Sequence, residues 1–194
     1  MQYNYTLTMK TIQLLRTLIN ILFFTLIAVF AIGFMCTLIL FISPDSLPLP
    51  LSGFSMLFNN LFSWQMYLVP LITGINYILF IIAIFYLKKS VSSFIESDYY
   101  SEKATTNFKK AGNIFIFIGV STIVIQLFAV QYVQSIANNM LQMKTNYLIS
   151  ILNTLAAAID LKSVLAIIIG LFFLLFSKIF ENSRILKQEN DLTI

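Results

Sequence analysis

Four long apolar stretches alternate with shorter polar ones along the chain. They cover residues 18–42, 66–87, 112–133 and 161–180. Each matches the about 20 mostly apolar residues a helix needs to cross roughly 30 Å of hydrocarbon. The pattern predicts four transmembrane helices. The first run is too long for the apolar core of a signal peptide, and no small-residue cleavage site follows before "SPDSLPLP". "GFMC" also lacks the small residue a lipoprotein site places before its cysteine. The run therefore reads as an uncleaved span. "MKTIQLLRT" offers a second start at Met9, and N-terminal sequencing that found Gln2 or Met1 would rule it out.

The connections carry patterns of their own. Residues 43–64 begin as proline-broken coil and then place Phe54, Leu57, Phe58, Leu61 and Phe62 at helical spacing. A short helix on the outer surface is predicted there, with Trp64 and Tyr67 in an interfacial belt. In residues 134–160, Ile136, Met140, Met143, Tyr147, Ile151 and Leu155 recur at spacings of four and three. Asn138, Asn139, Gln142 and Asn146 fall largely off that face. This predicts that the third and fourth spans continue outward as a packed pair of long helices. The expected fold is all-α, an integral membrane four-helix bundle with short extracytoplasmic amphipathic helical segments, forming one domain over 1–194.

Composition supports a bilayer as the main solvent. The 194 residues are 59% hydrophobic and 10% charged, against about 45–50% apolar and about 25% charged in soluble domains. The net charge of +4 then bears on orientation rather than on nucleic acid, for which no direct binding is expected. Lys10 and Arg16 precede the first span. Lys88, Lys89, Lys103, Lys109 and Lys110 lie between the second and third, and Lys178, Arg184 and Lys187 close the fourth. The other two connections hold only Lys144 and Lys162. Basic residues favour the cytoplasmic side, so both termini and the middle loop are expected in the cytoplasm.

Candidate chemistry is sparse. There is no histidine, and Cys36 is the single cysteine, so the commonest general base and metal ligand are missing. No enzymatic activity, cofactor or metal is expected. The span interiors lack ionisable groups, which argues against a proton-coupled transporter. Their polar residues are neutral: Asn76 in the second span, and Ser121, Thr122 and Gln126 in the third. Asn76 and Gln126 read as interhelical hydrogen-bonding groups worth about 0.6–2 kcal/mol each; a small polar ligand pocket is the alternative. Gly33, Gly74, Gly119 and Gly170 fall in four different spans with no GxxxG pair. Each can let helices approach closely.

The middle loop and the tail carry the remaining signals. Ser101 suits the N-cap of a helix entering the third span, and the neighbouring lysines should meet anionic head groups. The fourth span should continue as a helix through "SKIFENSRILKQEN", supported by Lys178–Glu181 and Lys187–Asp191 spacing. "DLTI" then offers strand addition or carboxylate capture by a partner, with Leu192 and Ile194 as anchors. The bland alternative is a frayed end.

Two segments carry a resemblance. The loop offers Tyr100-Ser101-Glu102 followed by Phe108-Lys109-Lys110-Ala111-Gly112. The tail offers Leu186-Lys187-Gln188-Glu189-Asn190-Asp191-Leu192-Thr193-Ile194. The chain resembles the bacterial membrane family called domain of unknown function 2975. That family shows an aromatic-Ser-x-Glu loop, a basic stretch, a glycine entering the third span and a Leu-x-x-Glu-x-Asp-Leu-Thr-Ile or -Val end. Tyr100 stands where the family often has phenylalanine. Asn182 and Ser183 stand where it often has a glycine. The resemblance implies four spans, no enzymatic activity, and frequent pairing with a small Cro/CI-type helix-turn-helix regulator.

The favoured reading is the membrane component of such a regulatory pair. Leu186, Glu189, Asp191, Leu192, Thr193 and Ile194 would dock the regulator, with Ser101 and Glu102 beside them; folding of the tail onto the middle loop is the alternative. A small-molecule channel or transporter subunit is the second functional reading, and a lipid-directed membrane enzyme the third. Homo-oligomerisation is left open.

Overall fold

The computed structural model describes residues 2–42, 64–95, 101–141 and 147–192, with side chains over 10–38, 68–93, 101–134, 151–152, 154–190 and 192. Every described element is an α-helix. They are α1 (Gln2–Ile42), α2 (Trp64–Ile95), α3 (Glu102–Leu141), α4 (Tyr147–Ala158) and α5 (Leu161–Leu192). Four of them are long and apolar enough to cross a membrane, over 10–38, 68–93, 102–134 and 161–190. The chain is thus a four-helix membrane protein whose helices outrun the predicted spans. The expected surface helix over 54–62 lies outside the described residues.

The bundle is not closed. Among the described residues α1 packs on α2, α2 on α3, and α3 on α5, with no α1–α5 contact. The central cluster joins Ala83, Ile84 and Leu87 of α2 to Phe108, Ala111 and Phe115 of α3. Ile19, Phe23 and Leu26 of α1 cover one side of it, and Phe173 and Phe180 of α5 the other. No described α1 side chain is buried. That exposure is stable only because lipid tails are as apolar as the leucines and phenylalanines facing them.

The closest contact is between α3 and α5, and a heptad of small residues makes it. Thr105, Gly112 and Gly119 repeat every seven residues on α3, as do Ser163, Gly170 and Ser177 on α5. The helices run antiparallel, so the two sets meet in order. The Ser177 hydroxyl donates to the Thr105 carbonyl at 3.0 Å. A Cβ on Gly112 would lie 2.8 Å from the Gly170 carbonyl oxygen, and one on Gly170 would lie 2.7 Å from the Gly112 oxygen. A Cβ on Gly119 would lie 2.7 Å from the Ser163 oxygen. Only glycine permits this approach, and dispersion across the seam holds the pair together without hydrophobic help. Gly33 and Gly74 meet nothing within 4 Å, so the close-approach role belongs to Gly119 and Gly170, with Gly112 as the central partner.

The segment before the fourth span departs from the expected continuous pair. α3 does extend to Leu141, but α4 is a separate helix laid against α3. The Thr154 hydroxyl donates to Gln134 Oε1 at 2.9 Å. The break falls at Ile159 and Asp160. Asp160 accepts the Lys162 N–H on its carboxylate at 3.2 Å, and its carbonyl accepts the Ser163 hydroxyl at 2.8 Å. An aspartate satisfying the free N–H groups of a new helix is a strong N-cap. It restarts the helix as α5 instead of continuing α4.

Candidate functional site

Apart from Lys162 at the start of α5, the described basic residues gather at one end of the helices: the start of α1, the end of α2, the start of α3 and the end of α5. Three polar contacts lock this end. Ser101 caps α3, its hydroxyl accepting the Ala104 N–H at 3.1 Å. The Ser90 hydroxyl, fully buried, donates to the Ala104 carbonyl at 3.1 Å and so ties α2 to the first turn of α3. Arg184 of α5 reaches Glu102 of α3, with Nη1 3.3 Å from Oε2. Glu102 is 82% exposed while Arg184 is only 26% exposed, so solvent screens the pair and its worth is modest. It positions α5 more than it stabilises it. Arg184 Nε is buried with no hydrogen-bond partner.

Apolar packing does the rest. The Phe108 ring sits 6.0 Å from Phe173 and 5.8 Å from Phe180, stacked on both. Beyond Phe180, α5 continues for three more turns. Lys178 and Glu181 pair at 3.1 Å, one turn apart, on its exposed side. Ile185, Leu186, Glu189 and Leu192 are all exposed. At 100° per residue they span an arc of about 120°, turned away from the side on which Arg184 meets α3. Asp191 and Leu192 are still helical, so strand addition cannot begin at them without unwinding the last turn. The Asp191 side chain, Thr193 and Ile194 lie outside what the structure describes.

The two neutral polar residues of the span interiors differ. Asn76 Nδ2 donates to the Thr122 hydroxyl at 3.3 Å, and Asn76 Oδ1 accepts from the Ser121 hydroxyl at 2.8 Å. This bridges α2 and α3. Gln126, one turn further along α3, keeps a buried Oε1 with no hydrogen-bond partner. A third polar contact escaped the sequence reading: the Tyr77 hydroxyl donates to the Leu26 carbonyl of α1 at 3.1 Å, with its ring 5.6 Å from Phe30. Among the described residues no group of three potential metal-ligating side chains comes together.

A family profile described as a protein of unknown function, DUF2975, matches residues 55–194, well over half of the chain. The chain belongs to the DUF2975 family. No curated protein and no solved structure matches it. The DUF2975 match takes in α2 to α5, with Ser101, Glu102 and the whole tail, and leaves α1 outside. Gly112, the glycine entering the third span, is the middle of the α3–α5 seam. Ser90, Thr105, Ser177 and Arg184 were missed as positioning residues. The seven-residue repeat of small side chains was the available signal for two of them, Thr105 and Ser177; Arg184 continues the same repeat on α5. Ser90 had none, because its partner is a backbone carbonyl.

Proposed function

We propose that the chain is a non-enzymatic protein of the bacterial inner membrane with both termini cytoplasmic, and that its basic end holds a small cytoplasmic helix-turn-helix regulator. The clustering of lysine and arginine at one end supports the orientation. An alkaline phosphatase fused after Lys103 is expected to be inactive, and an active fusion would invert the topology.

One observation supports docking above all. α5 leaves its packed region as a continuous helix and presents Ile185, Leu186, Glu189 and Leu192 on one exposed face. A helical face with apolar anchors around one carboxylate suits a groove on a partner. Ser101 and Glu102 lie on the other side of α5, where Glu102 meets Arg184, and so would hold the helix rather than form part of its exposed face. The regulator itself is what the family resemblance implies. Deleting 191–194 is expected to cut co-purification of an adjacently encoded helix-turn-helix protein by at least tenfold, while membrane insertion persists. Undiminished recovery would remove residues 191–194 from the docking role.

A further inference from the structure

A cavity of about 270 Å³ opens at the basic end of α2. Phe85, Lys88, Lys89, Ser92 and Ser93 of α2 and Lys103 of α3 line it. Neither Lys178–Glu181 nor Arg184–Glu102 draws on any of these three lysines. Two of them are held instead by aromatic rings. Lys88 Nζ lies 5.2 Å from the centre of Phe23 and 5.3 Å from that of Phe24, and Lys89 Nζ lies 4.7 Å from the centre of Phe85. Such contacts orient an ammonium group and leave its charge available. Asn107, one turn beyond Lys103 on the same face of α3, is 7% exposed and keeps an unpartnered, buried Nδ2.

A second feature leads away from this cavity. Leu71, Ile75, Ile78, Ile82 and Phe85 are exposed and spaced by four, three, four and three, so they form one stripe along α2. The stripe ends at Lys89, four residues after Phe85. Its length of about 21 Å exceeds the roughly 15 Å of one hydrocarbon leaflet. We propose that the cavity binds the phosphate of an anionic phospholipid, whose acyl chain lies along the α2 stripe. The three ammonium groups lining the cavity and the Ser92 hydroxyl supply charge-assisted hydrogen bonds to phosphate oxygens, while the Ser93 hydroxyl already donates to the Lys89 carbonyl at 3.1 Å. The stripe selects nothing by itself; it keeps a lipid in reach of the lysines. Basic pockets between membrane helices are suited to such head groups. This site is lined by residues of α2 and α3 with none from α5, so occupancy and tail docking are separable.

Native mass spectrometry of the full chain in detergent tests this, with phosphatidylglycerol, phosphatidylcholine and glycerol 3-phosphate as the three probes. Retention of phosphatidylglycerol is expected to exceed that of phosphatidylcholine and of glycerol 3-phosphate by on the order of tenfold. Lys89→Gln with Lys103→Gln should abolish that preference, and the paired arginine variants should keep it. Lys109→Gln with Lys178→Gln removes the same charge on the α5 side and should leave it intact. Equal retention of the two lipids would overturn the proposal, as would an equal loss in the control pair. Glycerol 3-phosphate binding as tightly as the lipid would make the ligand a soluble phosphate and overturn the lipid assignment. Unchanged helicity by circular dichroism confirms that each variant is folded.

Discussion

Gly170→Leu is expected to separate α3 from α5 and destabilise the bundle by about 3 kcal/mol or more, at or beyond the upper end for overpacked cores. The reason is local and geometric. The new Cβ would stand 2.7 Å from the Gly112 carbonyl oxygen and 2.9 Å from the Ile116 backbone nitrogen. Neither atom belongs to a flexible side chain, so the helices themselves must move. Moving them also lengthens the bond from Ser177 to the Thr105 carbonyl. A gain in helix propensity of about 1 kcal/mol on replacing glycine does not offset this. Gly170→Ala should cost roughly 1–3 kcal/mol. Gly33→Ala, whose Cβ meets nothing within 4 Å, should show only the propensity gain of about 1 kcal/mol and so controls for it. Unfolding midpoints in mixed micelles, followed by circular dichroism, give the comparison. A Gly170→Leu protein as stable as the parent would show that the seam does not hold α3 to α5.

Phe108→Ala is expected to cost about 3 kcal/mol, the lower end for a buried phenylalanine. The lower end applies because lipid, not water, surrounds most of this protein, so lost packing outweighs lost transfer energy. Phe108 is 7% exposed and stacked between Phe173 and Phe180. Removing it opens a cavity nearly two turns along α3 from the Glu102–Arg184 contact. The part of α5 beyond Phe180 would then lose its main apolar hold and keep a screened ion pair. Recovery of a co-purifying regulator should therefore fall together with stability. Phe108→Leu should restore much of both, since it refills most of the volume. A Phe108→Ala protein with the parental unfolding midpoint would place the hold on α5 elsewhere.

These two positions also show how far residue patterns carried the reading. Gly170 was recognised as a glycine able to admit a neighbour, yet so were Gly33 and Gly74, which admit none. A glycine states only that a close approach is allowed. Whether a backbone arrives is decided by register, here the antiparallel alignment that sets Gly170 against Gly112. Phe108 lay in a loop segment notable for its lysines, and nothing local marked it as the ring that α5 packs against. The tail was easier. Its helical continuation follows from i,i+3 and i,i+4 charge spacing, and Lys178–Glu181 forms in the folded chain.

Segment 134–160 shows the opposite failure. Its apolar periodicity is real, but period alone does not say where a helix restarts. The cap formed by Asp160 decided that, through a backbone hydrogen bond to its carboxylate.

The sequence by itself determined that this chain crosses a membrane four times, which end is basic, and that the last helix outruns its span. These follow from apolar run length, charge count and helical period, all properties of neighbouring residues. Tertiary structure alone decided that the helices form an open row with α3 between α2 and α5, that glycine and serine join α3 to α5, and that three lysines from two helices share one cavity. Those facts depend on residues far apart in the chain meeting at ångström distances, and in lipid no hydrophobic gradient announces which faces will meet.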